Sequence, residues 1–385
     1  MKSQNKEISL VAFELGHLSA RAISGGDILL EKMYPYITGL NLTIVVPKIG
    51  SHHWESYKEV RLITLSPNLF DKSLSQISVF LSYVMRVYQA FILVRNDDTD
   101  IAYSSTNIFP DVMAGFLYKL TRPHNFWIAR VHHLISSPTS RPGNIITNYF
   151  SYILQELTLI FIRKADLVLI LNSNLKKDLI KKGFDNKKIQ TLGAGIDVDA
   201  IRKTKHQQKI YDGIFVGRVH STKGVVELIS IWERLIRKIP NAKLVIVGEA
   251  REPMISNLNK IIKDRNIREN ITITGYLPEK ELFKTLRQSK IFVLTDTEAG
   301  FSIAAAQAMA AGLPVVAIEL PFLKTIYHQG YQTVKLGKLQ DFADTLANLL
   351  NDKAKYKIMS KQATSQAREL DWSKVAADFS KIISR

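Results

Sequence analysis

Residues 291–312 read IFVLTDTEAGFSIAAAQAMAAG, and the fold is decided by this stretch. Ile291–Leu294 is a short β-branched and aromatic run, the composition of a strand buried in a sheet. A loop containing Gly300 follows. Ser302 stands where a helix N-cap belongs. Ala304, Ala305, Ala306, Ala308, Ala310 and Ala311 then make a helix slim enough to pack closely on a sheet or a ligand. Gly312 and Pro314 end that helix, and Val315–Ala317 reads as the next strand. Strand, helix, strand is a βαβ unit, and its two strands run parallel.

The same alternation extends outward in both directions. Ile214–Val216, Leu244–Val247 and Ile271–Thr274 read as strands, separated by helices at Val225–Ile239, Met254–Arg265 and Glu279–Gln288. With Ile291–Leu294 and Val315–Ala317 they are expected to complete one sheet. A polar, basic segment, Arg202–Lys209 (RKTKHQQK), precedes this half. Before it, strands are expected at Ile8–Glu14, Leu42–Val46, Val60–Leu65, Ile101–Ser105, Phe126–His132 and Leu167–Leu171. Helices at Ile28–Tyr36, Leu74–Val94, Asp111–Leu120 and Ile145–Lys164 fill the gaps. The expected fold class is α/β, with two Rossmann-like domains at 1–204 and 205–367. Open parallel sheets bind ligands outside the carboxyl ends of their strands, so the loops there carry the chemistry.

Composition narrows that chemistry. The 385 residues are 46% hydrophobic and 23% charged, which suits a globular protein with a sizeable core. There is no cysteine, which excludes disulfides, thiolate metal sites and thiol nucleophiles. The net charge is +17, with most of the excess after residue 200. Nucleic acid, an anionic membrane surface and phosphorylated small molecules are the partners such a balance allows, beside lysines that are merely solvated. No nucleic-acid reader motif is present. The start, MKSQNKEISLVAF, does not read as a signal peptide. Of the most apolar stretches, Ile77–Val94 is interrupted by Arg86 and Asn148–Ile162 by Glu156. Neither is expected to supply the ~18 uncharged residues of a membrane span, so a soluble or peripheral protein is expected.

Two strand-end segments stand out. In Phe215–Gly224, FVGRVHSTKG, a strand gives way at Gly217 to a loop holding Arg218 and Lys223, before a helix that begins near Gly224. Two cations beside a helix N-terminus suit a diphosphate, because free N–H groups and the helix dipole favour anions. An exposed arginine and lysine in a surface loop is the plainer reading. The second segment is the loop Glu298-Ala299-Gly300-Phe301-Ser302 before the alanine helix.

Together these segments resemble the retaining glycosyltransferases of family 4, which have the GT-B fold of two facing Rossmann-like domains. Ser24-Gly25-Gly26, Val131-His132, Ala165–Ser173 (ADLVLILNS), Gly195-Ile196-Asp197 and Leu370–Ile382 (LDWSKVAADFSKI) resemble further signatures of that family, in its order. The resemblance implies a closing helix, 368–385, that crosses back to a first, acceptor-binding domain. It implies that Arg218 and Lys223 hold the diphosphate of a nucleotide-sugar donor, with Gly25 and Gly26 approaching it. His132 would face the transferred sugar, although His133 follows and is the alternative. Gly300, Phe301 and Ser302 would offer backbone N–H groups to sugar or phosphate.

The family's two glutamates, separated by seven intervening residues, are not both present. Ala299 takes the first position and Gln307 the second, near the ribose hydroxyls; Glu298, one residue early, is the expected catalytic carboxylate. No cofactor is implied, the nucleotide-diphosphate sugar being a co-substrate, and no metal. Asp98-Thr99-Asp100 and Asp197-Val198-Asp199 read as loops rather than metal sites. The expected activity is transfer of a hexose-type sugar, with retention, to a glycan or lipid-linked acceptor. It would take place in the cytoplasm, with an anionic membrane surface as a peripheral partner. The alternatives are a catalytically silent homologue and another GT-B enzyme such as a sugar-nucleotide epimerase.

Overall fold

The computed structural model describes residues 7–18, 28–73, 75–141, 144–205, 207–297 and 300–384. By its contacts the chain divides into two units, Met1–Gly195 with Trp372–Arg385, and Ile196–Asp371.

The first unit runs β1 (Ile8–Phe13), α1 (Ile28–Met33), β2 (Leu40–Pro47), β3 (Arg61–Leu65), α2 (Gln76–Val94), β4 (Ile101–Ser104), α3 (Phe109–Thr121), β5 (Phe126–Val131), α4 (Ile145–Ile162), β6 (Leu167–Ile170), α5 (Ser173–Lys181) and β7 (Ile189–Thr191). Its sheet has the order β3-β2-β1-β4-β5-β6-β7. Every pairing is parallel. The order reverses between β1 and β4, which opens a crevice at their carboxyl ends. Val11, Phe13, Val45, Ala129 and Val131 face one layer, α2 to α5, in a continuous apolar core. Burying a valine or phenylalanine of this set stabilises by roughly 1.5–3 kcal/mol.

The second unit runs α6 (Val198–Lys203), β8 (Tyr211–Val216), α7 (Val225–Ile236), β9 (Leu244–Val247), α8 (Met254–Asp264), β10 (Ile271–Gly275), α9 (Glu279–Arg287), β11 (Ser289–Leu294), α10 (Ile303–Ala310), β12 (Val315–Ile318), α11 (Leu323–Ile326), β13 (Tyr331–Val334), α12 (Leu339–Asn351) and α13 (Lys353–Ala367). The sheet order is β10-β9-β8-β11-β12-β13, again all parallel. Here the order reverses between β8 and β11. One apolar core gathers α7, α8 and α12, and another gathers α6, α9, α10 and α13. The last helix, α14 (Trp372–Ile383), belongs to the first unit, where Phe379 meets Tyr103 of β4 with ring centroids 5.7 Å apart.

The structure differs from the sequence reading in several places, among them β7, a seventh strand that the reading did not give to the first sheet. β13 completes the second sheet beyond Val315–Ala317; its residues Tyr331, Gln332 and Thr333 are only half-buried, as suits an edge strand. The division falls at Gly195/Ile196 rather than near residue 205, because Ile196, Val198 and Ile201 are core residues of the second unit. Finally, α2 and α4 are both long and apolar enough to cross a membrane. That is a matter of length and composition alone: in this fold each helix also turns core residues inward, and its one charged residue is paired there. Arg86 is buried against Asp71 at 2.8 Å, and Glu156 pairs with Lys182 at 2.7 Å.

Candidate functional site

The two segments singled out in sequence meet at the β8/β11 switch point of the second unit. After β8 the chain makes a turn at Ser221–Lys223, and Gly224 then takes the left-handed conformation (φ +62°) before α7. After β11 the loop 295–297 lies against that turn. Thr297 donates its backbone N–H to the Thr222 carbonyl at 3.0 Å, and its hydroxyl to the same oxygen at 3.1 Å. The Thr295 hydroxyl donates to the Lys223 carbonyl at 2.9 Å. A Cβ on Gly224 would stand 2.2 Å from the Thr295 carbonyl oxygen, so only glycine lets the two loops close. Gly248, after β9, is under the same constraint, with Gly217 O at 1.8 Å from the position of a Cβ.

The cations of this junction differ in state. Arg218 is exposed and makes no ion pair among the described residues. Lys223 is half-buried, and its ammonium is paired with the Asp296 carboxylate. Asp296 is itself buried, and that burial holds its carboxyl above the usual range although Lys223 and Arg218 pull the other way. The sequence reading missed Asp296. Its only signal was an acid directly after a buried strand, with no indication of the lysine facing it.

The helix expected after Gly300 is α10. Ser302 caps it, accepting from the Ala305 N–H at 3.2 Å. The amides of Phe301, Ser302, Ile303 and Ala304 meet no acceptor among the described residues and remain available to a ligand. Tyr327, also missed in sequence, is buried and donates its hydroxyl to the Ser302 carbonyl at 2.8 Å, which fixes the start of the helix. Phe301 packs beside the Tyr327 ring, with centroids 6.2 Å apart. Gln307 lies half-buried with Ile303 and Ala304 on the face of α10 that the core leaves uncovered. Glu298 and Ala299 lie outside the described residues, as do Gly25 and Gly26.

In the first unit, His132 follows β5 and is buried. Its Nε2 donates to the Ser105 carbonyl at 2.8 Å, and its N–H donates to the Asn107 side chain at 3.1 Å. Burial, with Arg130 nearby, lowers its pKa to about 3, so the ring is neutral and Nδ1 carries a lone pair with no partner among the described residues. His133 is exposed. A cavity of about 250 Å³ lies at the carboxyl ends of β2 and β3, lined by Pro47, Lys48, Phe70, Asp71, Ser82 and Arg86 among others.

The two aspartate pairs read as loops have structural roles. Asp100 accepts from the Ser9 N–H at 2.8 Å and joins the amino ends of β1 and β4. Asp197 caps α6, accepting from the Ala200 N–H at 2.8 Å. Among the described residues no three His, Asp or Glu side chains are grouped so as to hold a metal ion.

Residues 198–366 match the family model described as glycosyl transferases group 1. A relative of Xanthomonas campestris, GDP-mannose:cellobiosyl-diphosphopolyprenol alpha-mannosyltransferase, is 23% identical over 205 residues, 52% of this chain and 54% of the relative. The chain spans about a quarter to three-fifths of the length of the curated relatives it matches. Among solved structures, sucrose-phosphate synthase from Thermosynechococcus elongatus superposes with a TM-score of 0.79 at 15% identity, covering 97% of this chain and 98% of the other. Anabaena HepE in complex with UDP and glucose does so with a TM-score of 0.74 at 14% identity, covering 99% and 100%. These likenesses establish the fold, GT-B.

Proposed function

We propose that the chain is a glycosyltransferase that moves a sugar from a nucleoside diphosphate sugar to a glycan or lipid-linked acceptor. The observation that carries the reading is the closed junction of the β8 and β11 loops, which sets Arg218, Lys223 and the open amides of α10 at one switch point. When the bond between the anomeric carbon and the diphosphate breaks, its electrons leave on the diphosphate. Negative charge therefore grows there, and cations with fixed N–H dipoles stabilise it more in the transition state than in the ground state. Side chains alone can do this, so we read the enzyme as metal-independent. Arg218 takes the first contact because it makes no ion pair among the described residues; Lys223 joins it by exchanging Asp296 for phosphate. Gln307 is nearly isosteric with glutamate and still accepts from a ribose hydroxyl. Retention of anomeric configuration and the carboxylate role of Glu298 follow the family resemblance. His132, neutral and held by Ser105, can accept a hydrogen bond at Nδ1 but cannot supply charge near neutral pH. The cavity beside Lys48 and Arg86 is the place we assign to part of the acceptor.

A second reading, a homologue that binds nucleotide-sugar without turnover, is favoured by Ala299 and Gln307 standing where the family has glutamates. Incubation with a panel of nucleotide-sugars and polyprenyl-diphosphate-linked glycans, followed for released nucleoside diphosphate, separates the two. The proposal expects release that Glu298→Gln cuts strongly while nucleotide affinity stays. Binding without release from any pair would establish the silent homologue instead.

A further inference from the structure

A surface helix of a soluble protein turns charged residues outward and apolar ones inward. α2 and α4 do not. Every exposed residue of α2 is apolar, in a stripe through Ile77, Leu81, Met85, Tyr88 and Ile92. In α4 every exposed residue but Thr147 is apolar, along Ile145, Tyr149, Ile153, Leu157 and Ile160. Ile77 is 73% exposed, Ile146 70% and Ile153 64%, so these are not partly covered core positions. Isolated exposed hydrophobics are ordinary; two such stripes in one layer are not. The helices lie in the layer that covers one face of the first sheet, and they meet where Phe80 packs against Phe150, ring centroids 6.4 Å apart. The single charge on each helix is spent inside the fold. Arg86 donates to the Leu15 and His17 carbonyls at 2.8 and 2.6 Å and pairs with Asp71. Glu156 pairs with Lys182.

A basic flank adjoins the stripes. Lys182, at the end of α5, sits 6.0 Å over the Tyr152 ring of α4. Lys177 and Lys181 of α5, with Arg163 and Lys164 after α4, are exposed.

We propose that the α2/α4 face docks on an anionic lipid bilayer, with the helices lying in the interface and the α5 lysines on the headgroups. Spanning is excluded by the opposite faces: Tyr83, Val87 and Ala90, with Leu159 and Ile162, are core residues, and Arg86 is buried among them. A second copy carries the same net charge, +17, and like-charge repulsion opposes its approach, whereas anionic headgroups attract the flank. The inference stands on the exposed stripes and does not need the transferase reading.

The test is co-sedimentation of the full chain with vesicles of equal parts phosphatidylcholine and phosphatidylglycerol, at low and high salt, beside analytical ultracentrifugation without lipid. The parent is expected to pellet with these vesicles, less with pure phosphatidylcholine and less at high salt. Ile77→Glu with Ile153→Glu, both at exposed positions and checked for unchanged thermal unfolding, is expected to weaken pelleting by about tenfold or more. Lys177→Glu with Lys181→Glu is expected to weaken it and flatten its salt dependence. Absence of pelleting overturns the proposal, as does pelleting that neither pair of substitutions alters. A dimer that the Ile77/Ile153 variant dissolves, without lipid binding, would assign the face to a second copy instead.

Discussion

Replacing Gly224 with alanine tests whether the two strand-end loops form one site. Two terms are separable. Alanine in the left-handed region costs about 1–2 kcal/mol wherever it is placed. At Gly224 the new Cβ would also lie 2.2 Å from the Thr295 carbonyl oxygen, backbone against backbone, so the loop must retreat. Retreat breaks the Thr295–Lys223 and Thr297–Thr222 hydrogen bonds, at 2.9 and 3.0 Å, each worth about 1 kcal/mol. The expected loss is therefore about 3–4 kcal/mol. Gly312→Ala is the control. It too has positive φ (+84°), but its nearest neighbours would be the Ser360 and Thr364 hydroxyls at 3.6 and 3.7 Å, an ordinary contact. It should lose only the conformational part. Hydrogen exchange of the β8 and β11 amides reads the opening free energy of this unit by itself. Calorimetry with UDP and GDP reads the site, where Gly224→Ala should lose about tenfold or more in affinity and Gly312→Ala little. Equal destabilisation by the two variants, within about 0.5 kcal/mol, with equal affinity, would refute the joined-loop account.

Three further outcomes are expected. Arg218→Ala should weaken binding of a nucleoside diphosphate by about 1.5–3 kcal/mol and of the nucleoside hardly at all, by calorimetry; equal losses would remove the phosphate assignment. Burial raises the Asp296 carboxyl, so the folded state holds its proton longer than the unfolded chain does, and stability falls as pH rises from the ordinary carboxyl range through the raised value. Asp296→Asn should therefore gain on the parent across that window and hold a constant margin above it, measured by urea unfolding against pH; a margin that shrinks as pH rises would contradict this. The His132 pKa, lowered to about 3, has the opposite sign: the unfolded chain binds the proton first, so stability falls as pH drops from about 6.5. His132→Gln should make that acid slope shallower by about 1.4 kcal/mol per pH unit, and an unchanged slope would mean that the ring is not buried neutral.

The βαβ units were legible because buried parallel strands are written as short continuous β-branched runs, as at Val315–Ala317, between helical stretches closed by residues such as Ser302 and Gly312. β13 was not, since Tyr331–Val334 lies at an edge and carries mixed residues. Arg218 and Lys223 were legible because a strand end, two cations and a helix start follow one another within ten residues, so the anion-attracting arrangement is local. Asp296 was not, because its meaning depends on a lysine 73 residues away. The tyrosine that anchors Ser302, Tyr327, lies on a different element and has no local signature. The stripes on α2 and α4 were visible as apolarity, but only packing distinguishes an outward-facing apolar residue from a core one.

The central claim is that the second unit holds a nucleoside diphosphate at the β8/β11 switch point. Titration of UDP and GDP into isotope-labelled protein in chelator, followed by backbone amide shifts, tests it most directly. Saturable shifts centred on Arg218–Gly224 and Phe301–Ala304, retained without metal and diminished in Arg218→Ala, are the predicted result. No saturable shift with either nucleotide, or shifts confined to other strand ends, would contradict it.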